Sequence, residues 1–264
     1  SLRAAFLVLL IGAVLAAGCG AESPTPQPAP APAPSGPHAL FSSDVASLDN
    51  PFPDARLFSE GRGLDVARRP GFYKPFAPRK TWSQVGPYFE SFAEAFRELP
   101  GFGNFAPVLV RFSDPLAPES LEAGGAPRFV FLQEEAGGWR RGPTAKVEVV
   151  ADALLAAEGR HFVLVRPTIP LAPGRPSVLV LLAGVTTADG RALVRSPDFH
   201  AEARAAPGRV AAWAAAAGVR PEEVIFAMDL RVEAVTADLD AVRDWAMRDA
   251  PARVEIPEKR LVPV

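Results

Sequence analysis

Short runs of alternating apolar and polar residues recur between residues 107 and 230 and predict β-strands. A period of two places successive side chains on opposite faces of a sheet. Turn signals at Gly137-Gly138 and Asp189-Gly190 separate some of the runs. We therefore predict a mainly β fold, an antiparallel β-sandwich with a few peripheral helices. The predicted strands are residues 108–112, 128–132, 145–149, 161–165, 177–182 and 223–230.

Three other segments repeat their apolar positions at the spacing of a helix, roughly every 3.6 residues. We predict helices over residues 84–99, 208–217 and 236–248. Gly218 follows the second helix as a C-cap, and Thr236 precedes the third as an N-cap. The predicted inward-facing residues are Phe89, Phe92, Phe96 and Leu99 in the first helix, and Val210, Trp213 and Ala217 in the second.

The segment before the strands, residues 40–79, is rich in turn residues and predicts short extended pieces that wrap a core. Phe72, Tyr73 and Phe76 form an aromatic cluster within it. Such a cluster is either a ligand platform or, more commonly, packing beneath a loop. The predicted core anchors of this segment are Phe52, Leu57, Phe58 and Leu64.

The first 18 residues predict a secretory signal peptide. An apolar run over residues 4–17 is too short to span a bilayer comfortably and has the length of a signal-peptide core. Small residues then lead to Cys19, the one cysteine of the chain. The segment from Leu15 to Cys19 resembles the bacterial lipobox, although the leucine lies one position early. We predict that Cys19 is the lipid attachment site and the first mature residue; an ordinary signal beside an incidental cysteine is the alternative.

Alternating proline after Cys19 predicts an extended linker over residues 19–38. Polyproline II rises about 3.1 Å per residue, so the alternating-proline stretch from Ser23 to Pro37 spans roughly 45 Å between membrane and domain. A proline-rich peptide ligand is the less favoured interpretation. The predicted organisation is a signal peptide at 1–18, a lipid-anchored linker at 19–38, a sandwich domain at 39–235, and a helix at 236–264 that begins a further domain.

The net charge, the cysteine count and the absence of known motifs argue against several classes of function. The formal net charge is −2 and no basic stripe with interleaved aromatics occurs, so we predict no nucleic-acid partner. One cysteine leaves no internal disulfide, which is ordinary for an exported domain with its own core. The motifs of zinc, EF-hand and phosphate-loop sites are absent from the sequence, so we predict no metal and no cofactor. Asp44, Asp49 and Asp54 lack a diagnostic calcium spacing, and the last two favour turn capping.

The strand block carries motifs that resemble bacterial Ig-like domains of surface and secreted proteins. In those domains a strand end of the form F-S-x-P-L pairs with an L-x-P-G segment. The resemblance covers about residues 104–199 and departs at Pro176-Ser177, where the family usually has an aromatic residue. It implies an Ig-like form of the predicted sandwich. The matching segments run from Phe112 to Leu116, from Leu171 to Gly174 and from Gly184 to Leu193.

Upstream motifs at residues 49–57 and 99–107 resemble the N-terminal region of bacterial lipoprotein lipases and esterases of the virulence-factor type. In that family an Ig-like module precedes an α/β-hydrolase domain. The resemblance implies that this chain is the non-catalytic part of such an enzyme, with the hydrolase domain beyond Val264.

The sequence lacks the residues expected for hydrolysis. It has no G-x-S-x-G nucleophile elbow. Ser196, Asp198 and His200 are catalytic residue types, but closeness in sequence does not create a triad, and we interpret them as a turn after the last sandwich strand. His38 ends the linker, and His161 begins a predicted strand. We predict no catalytic residue in this chain and leave open whether it belongs to an enzyme.

These patterns together predict an exported, membrane-anchored lipoprotein whose β domain spaces, presents or binds without catalysis. Gly20, in place of an aspartate after the cysteine, resembles lipoproteins sorted to the outer membrane of Gram-negative bacteria. The alternatives are the N-terminal part of a lipoprotein lipase and a complete small enzyme. The sequence identifies a membrane partner through the lipid, but no ligand or protein partner.

Overall fold

A computed structural model of the chain describes residues 35–58, 63–99, 101–234, 243–244 and 248. The predicted signal peptide, Cys19 and most of the linker lie outside the described residues. Most of the predicted helix 236–248 also lies outside them, although its described residues Arg243, Asp244 and Arg248 are helical.

Six strands form one antiparallel sheet in the order β1-β6-β5-β4-β7-β8, and β2 and β3 form a separate two-stranded ladder. The prediction of a mainly β, antiparallel fold with a few short helices is therefore confirmed. All six predicted strands coincide with observed ones. The strands are β1 (Val108–Phe112), β2 (Glu122–Ala123), β3 (Ala126–Pro127), β4 (Phe129–Glu135), β5 (Gly138–Val149), β6 (His161–Pro167), β7 (Pro176–Leu182) and β8 (Val224–Arg231).

The helices differ more from the prediction than the strands do. The predicted helix 84–99 is two helices, α1 and α2, with a break at Phe92, and Phe92 and Leu99 are exposed. The predicted helix 208–217 is confirmed as α5, which ends at Gly218 in the left-handed conformation with φ 71°. The helices are α1 (Trp82–Ser91), α2 (Ala93–Phe96), α3 (Ala153–Ala157), α4 (Pro197–Ala205) and α5 (Pro207–Ala217).

Strand β5 changes its partner halfway along its length. Residues 138–144 pair with β4, and residues 145–149 pair with β6. Opposite Phe131, β5 has two residues, Gly142 and Pro143, which is the arrangement of a β-bulge. Pro143 has no N–H to donate to a ladder, so a bulge suits it. Because bulges bend strands, the sheet curls here, and strands from its two ends contribute to one core.

Two apolar clusters cover the two faces of the curled sheet. The concave face holds buried side chains from β1, β4, β6, β7 and β8, with Phe112, Phe129 and Phe131 fully buried. The convex face of β4, β7 and β8 packs against α4 and α5, where Phe199 and Trp213 are buried. The near-continuous apolar sequence of β7 follows from burial on both faces.

The segment before the strands covers the outer edge of the sheet. Phe52 and Leu109 of β1 exchange backbone hydrogen bonds of 3.0 and 2.7 Å, and the Leu40 N–H donates to the Arg111 carbonyl at 2.8 Å. These bonds occupy groups of an edge strand that would otherwise be open to pairing with another chain. Leu57 and Leu64 are buried in an apolar cluster of this segment, as predicted.

An ion-pair cluster predicts how stability depends on pH. A hydrogen bond from Ser113 lowers the pKa of Asp114, one from Thr187 lowers the pKa of Asp189, and Arg191 pairs with both carboxylates. A carboxylate whose pKa is lowered by folding contributes stability above its unfolded pKa of about 3.9, and that stability is lost as pH falls through the folded pKa.

We therefore expect the melting temperature of the wild-type protein to fall more steeply between about pH 5 and about pH 2 than that of the Asp114→Asn/Asp189→Asn variant. Circular dichroism melts across this range measure the difference. Glu119→Gln, at an exposed carboxylate, is the control and should follow the wild-type curve. Parallel curves for the wild type and the double variant would contradict the assignment.

Candidate functional site

The Ser196, Asp198 and His200 set lies at the start of a helix, so its interpretation as a turn was wrong. Ser196 is the N-cap of α4, and its Oγ accepts a hydrogen bond of 3.2 Å from the Phe199 N–H. Asp198 Oδ2 accepts from the Ser43 N–H at 2.8 Å. His200 Nε2 is buried and has no hydrogen-bond partner within the described residues. No side-chain hydrogen bond in the described part joins the three residues, so their roles here are helix capping and packing.

The three aspartates singled out in the sequence make local contacts. Asp44 Oδ1 accepts from the Ala46 N–H at 2.9 Å, and Asp49 Oδ1 lies 2.7 Å from Arg111 Nη1. Asp54 caps a short 3₁₀ helix, as predicted, and also binds Arg69. Across the described ranges no group of three or more histidine, cysteine or acidic residues could hold a metal ion.

The aromatic cluster and the remaining histidines are structural. Phe72 and Tyr73 are buried in the apolar cluster beside β1, and Phe76 packs on Phe162 with ring centroids 6.1 Å apart. The packing interpretation of the cluster is therefore confirmed. His161, the first residue of β6, pairs with Phe112 at the end of β1, and His38 Nδ1 lies 2.8 Å from the Gly36 carbonyl oxygen.

A cationic pocket that the sequence analysis did not predict lies where the N-terminal segment, α1, β1 and the turn between α3 and β6 meet. We call it the Trp82 pocket. Its cavity volume is about 130 Å³. Four of its side chains are cationic and one is acidic. The lining residues are Leu48, Lys74, Pro75, Arg79, Trp82, Arg111, Glu158 and Arg160.

Arg160 lies at the bottom of the Trp82 pocket, where hydrogen bonds and an ion pair hold its guanidinium in place. Its side chain is only 7% exposed, and Nη1 donates to the carbonyl oxygens of Lys74 and Ala77 at 2.6 and 2.9 Å. Nη2 lies 2.9 Å from Glu158 Oε2, and the guanidinium lies 5.3 Å from the Trp82 ring centroid. Burial lowers the pKa of Arg160, and the positive charges of Arg111 and Arg79 lower it further. Arg160 therefore positions the pocket wall and has few donors left for a ligand.

The other three cations keep donors available. Arg111 extends from the outer face of β1, and its Nε is buried without a hydrogen-bond partner in the described part of the chain. Lys74 Nζ lies 5.3 Å from the Trp82 ring centroid, a cation–π contact, and it makes no hydrogen bond or ion pair with the residues that the structure describes. The Arg79 side chain is 71% exposed, and its Nε lies 3.9 Å from Glu158 Oε2, which is a weak ion pair.

The charges of the Trp82 pocket do not balance. Four cations face two carboxylates, Glu158 in the wall and Asp49 on Arg111, which leaves an excess of two positive charges. Such a site can bind an anion, because guanidinium and ammonium groups hold oxyanions through charge-assisted hydrogen bonds. The lining holds no serine, cysteine or histidine that could act as a nucleophile or base.

Comparison with known proteins gives no further support for a function of this pocket. No family model and no curated protein matches the chain. Among solved structures, the crystal structure of the S-layer protein rSbsC(31-844) is 12% identical to this chain, with a TM-score of 0.24. The match covers 50% of this chain and 16% of that one, and at this score it carries no argument about fold or function. Within the described residues, no helix has both the length and the apolar character needed to cross a bilayer.

Proposed function

We propose that this protein is an exported lipoprotein, held to a membrane by acyl chains on Cys19, whose β domain works as a non-catalytic binding or presenting module. The observation that carries the proposal is the small-residue segment ending at Cys19, followed directly by the alternating-proline linker. Stable anchoring requires more than one acyl chain, which lipoprotein processing provides. The sequence at Gly20 favours the outer membrane of a Gram-negative bacterium, with the domain on its periplasmic or surface face.

The way the linker joins the domain supports the role of a spacer. The carbonyl of Pro37 accepts from the Val194 N–H at 2.9 Å, and the carbonyl of His38 accepts from the Ser113 N–H at 3.0 Å. The chain is thus hydrogen-bonded into the domain within the last two residues of the proposed linker. A tether that is fixed at its domain end holds the domain at a distance set by the linker alone.

The anchor is tested by Cys19→Ala. We expect complete loss of palmitate labelling in a Gram-negative host, because the thioether to diacylglycerol needs the thiol. Globomycin, which blocks lipoprotein signal peptidase, should leave the wild-type chain unprocessed. Gly20→Asp is the matched control: it keeps the thiol, should keep the labelling, and should move the protein from the outer-membrane to the inner-membrane fraction. Unchanged labelling in Cys19→Ala would overturn the proposed function.

We also propose that the curled sheet is an Ig-like sandwich. In this interpretation β1, β6 and the second part of β5 form one layer, and β4, β7, β8 and the first part of β5 form the other. The partner change within β5 and the core shared by both layers support it. An experimental structure tests the proposal: the two layers should face each other with strand directions about 30° apart.

A second proposed function is that of the N-terminal part of a lipoprotein esterase or lipase. The motifs at residues 49–57 and 99–107 favour it. The gene sequence downstream of Val264 tests it. A reading frame that continues into a G-x-S-x-G elbow would support the proposal, and a stop codon close to Val264 would contradict it.

A further inference from the structure

We propose that the Trp82 pocket binds a phosphate-type oxyanion through the side chains of Lys74, Arg79 and Arg111. The three cations come from three separate parts of the fold: a 3₁₀ turn, the segment before α1, and β1. They line one cavity together with the fixed Arg160. This proposal does not depend on the lipid anchor, since no residue of the linker takes part.

Two buried polar atoms of the pocket have no hydrogen-bond partner in the described part of the chain: the donor Arg111 Nε, which supports the assignment, and the acceptor Glu158 Oε2, which lies beside Arg160 in an ion pair. A buried donor without an acceptor is unfavourable, and native proteins seldom leave one unsatisfied. Arg111 Nε is such a donor in the described part of the chain, while Nη1 of the same side chain is held by Asp49. The Asp49 contact fixes the guanidinium, so its remaining donors are oriented before a ligand arrives. An oxyanion in the cavity would satisfy them.

The charge of the pocket favours a dianion over a carboxylate. Its excess is two positive charges, and a phosphate monoester carries about −1.5 to −2 at neutral pH. A carboxylate would neutralise only half of that excess. Burial lowers the pKa of Arg160 most, Glu158 raises it, and repulsion from Arg111 and Arg79 lowers it by smaller amounts. A bound dianion between these groups would relieve the repulsion.

The size of the cavity limits the ligand. About 130 Å³ accommodates one tetrahedral oxyanion with solvent, and is well below the roughly 300 to 1,000 Å³ of pockets that enclose a drug-sized molecule. The phosphate group is therefore the part that is recognised. It is either free phosphate or the phosphate monoester of a larger molecule, such as the headgroup of a phosphatidate, whose remainder stays in solvent.

Isothermal titration calorimetry on the full chain in non-ionic detergent tests the proposal. The probes are inorganic phosphate, glycerol phosphate and glycerophosphoglycerol. Glycerol phosphate is the dianionic monoester headgroup of a deacylated phosphatidate, and glycerophosphoglycerol is a phosphodiester with a single negative charge. Ionic strength is held constant with chloride, because screening alone changes surface binding. We expect saturable binding of at least one probe. Tighter binding of inorganic phosphate indicates free phosphate as the source, and tighter binding of glycerol phosphate indicates a monoester headgroup. Tightest binding of glycerophosphoglycerol, which has a single negative charge, would contradict the preference for a dianion.

Two variants and one matched control locate the binding. Arg111→Gln and Arg79→Gln should each weaken the affinity about tenfold or more, since each removes charge-assisted hydrogen bonds. Arg79 is exposed, so its substitution should leave the melting temperature unchanged. Lys80→Gln removes an adjacent exposed charge outside the pocket and should change the affinity by less than about twofold. No saturable binding by the wild type, or equal weakening by Lys80→Gln and Arg79→Gln, would overturn the proposal.

Discussion

Replacing Arg69 by methionine should lower the free energy of unfolding by about 3 to 5 kcal/mol, the usual cost of removing one partner from a buried ion pair. The Arg69 side chain is 1% exposed, and its Nη2 lies 2.6 Å from Asp54 Oδ2. Its Nε and Nη1 donate to the carbonyl oxygens of Val45 and Pro51, each at 3.0 Å. The Arg69 side chain therefore bonds to three separate positions, Val45, Pro51 and Asp54, of the segment that covers β1. Methionine fills similar space but satisfies none of these acceptors.

Urea denaturation followed by circular dichroism measures this effect. Arg56→Met is the matched control, because Arg56 also pairs with Asp54 but its side chain is 30% exposed. We expect it to cost about 1 kcal/mol or less, in the range of partly exposed ion pairs. The double variant Asp54→Asn/Arg69→Met should cost less than the two single changes added together, because it leaves no unpaired buried charge. Equal losses for Arg69→Met and Arg56→Met would contradict the role given to burial.

The strands could be predicted from the sequence because their signal is local. Apolar alternation and turn residues mark β1 and β6, and both strands lie where the pattern placed them. The first half of β5 was missed because Arg140, Arg141 and Pro143 interrupt its alternation. These residues belong to an exposed, bulged stretch, and a bulge depends on what lies across the ladder.

For the helices, the apolar spacing predicted a packed face correctly but did not predict where each helix begins and ends. The spacing of Phe89 and Phe96 does describe a packed face, since both lie against the apolar cluster beside β1. Within α1, Gly86 packs so closely against the Tyr73 hydroxyl that a Cβ would lie 2.3 Å from it, a tertiary contact that the apolar spacing does not reveal. Helix α4 was missed because Ser196 and Asp198 were read as turn residues, although the same residue types begin helices.

The Trp82 pocket could not be predicted from sequence patterns. Its residues are spread from Leu48 to Arg160, and no spacing links them. Two of its cations, Lys74 and Arg111, occur singly among apolar or aromatic residues, a pattern that is typical of ordinary surface charge. Only the folding of the N-terminal segment over β1 brings them into one cavity. The proposed lipid attachment at Cys19 is the opposite case, since the sequence pattern that predicts it lies in a few consecutive residues.

Replacing Phe131 by alanine should cost about 3 to 5 kcal/mol of stability, the usual range for truncating a buried phenylalanine. Phe131 is fully buried on the concave face and lies opposite the Gly142-Pro143 bulge, where β5 bends from one partner to the other. A cavity there would remove packing from both halves of the sheet at once.

Phe92→Ala, at a phenylalanine that is 41% exposed, is the control and should cost about 1 kcal/mol or less. Urea denaturation compares the two variants, and a loss in Phe131→Ala no greater than in Phe92→Ala would show that the curl does not depend on this side chain. Because the core on the concave face is shared by strands from both ends of the sheet, we expect the loss in Phe131→Ala to appear as one cooperative transition at lower urea, without a separate unfolding step for either half.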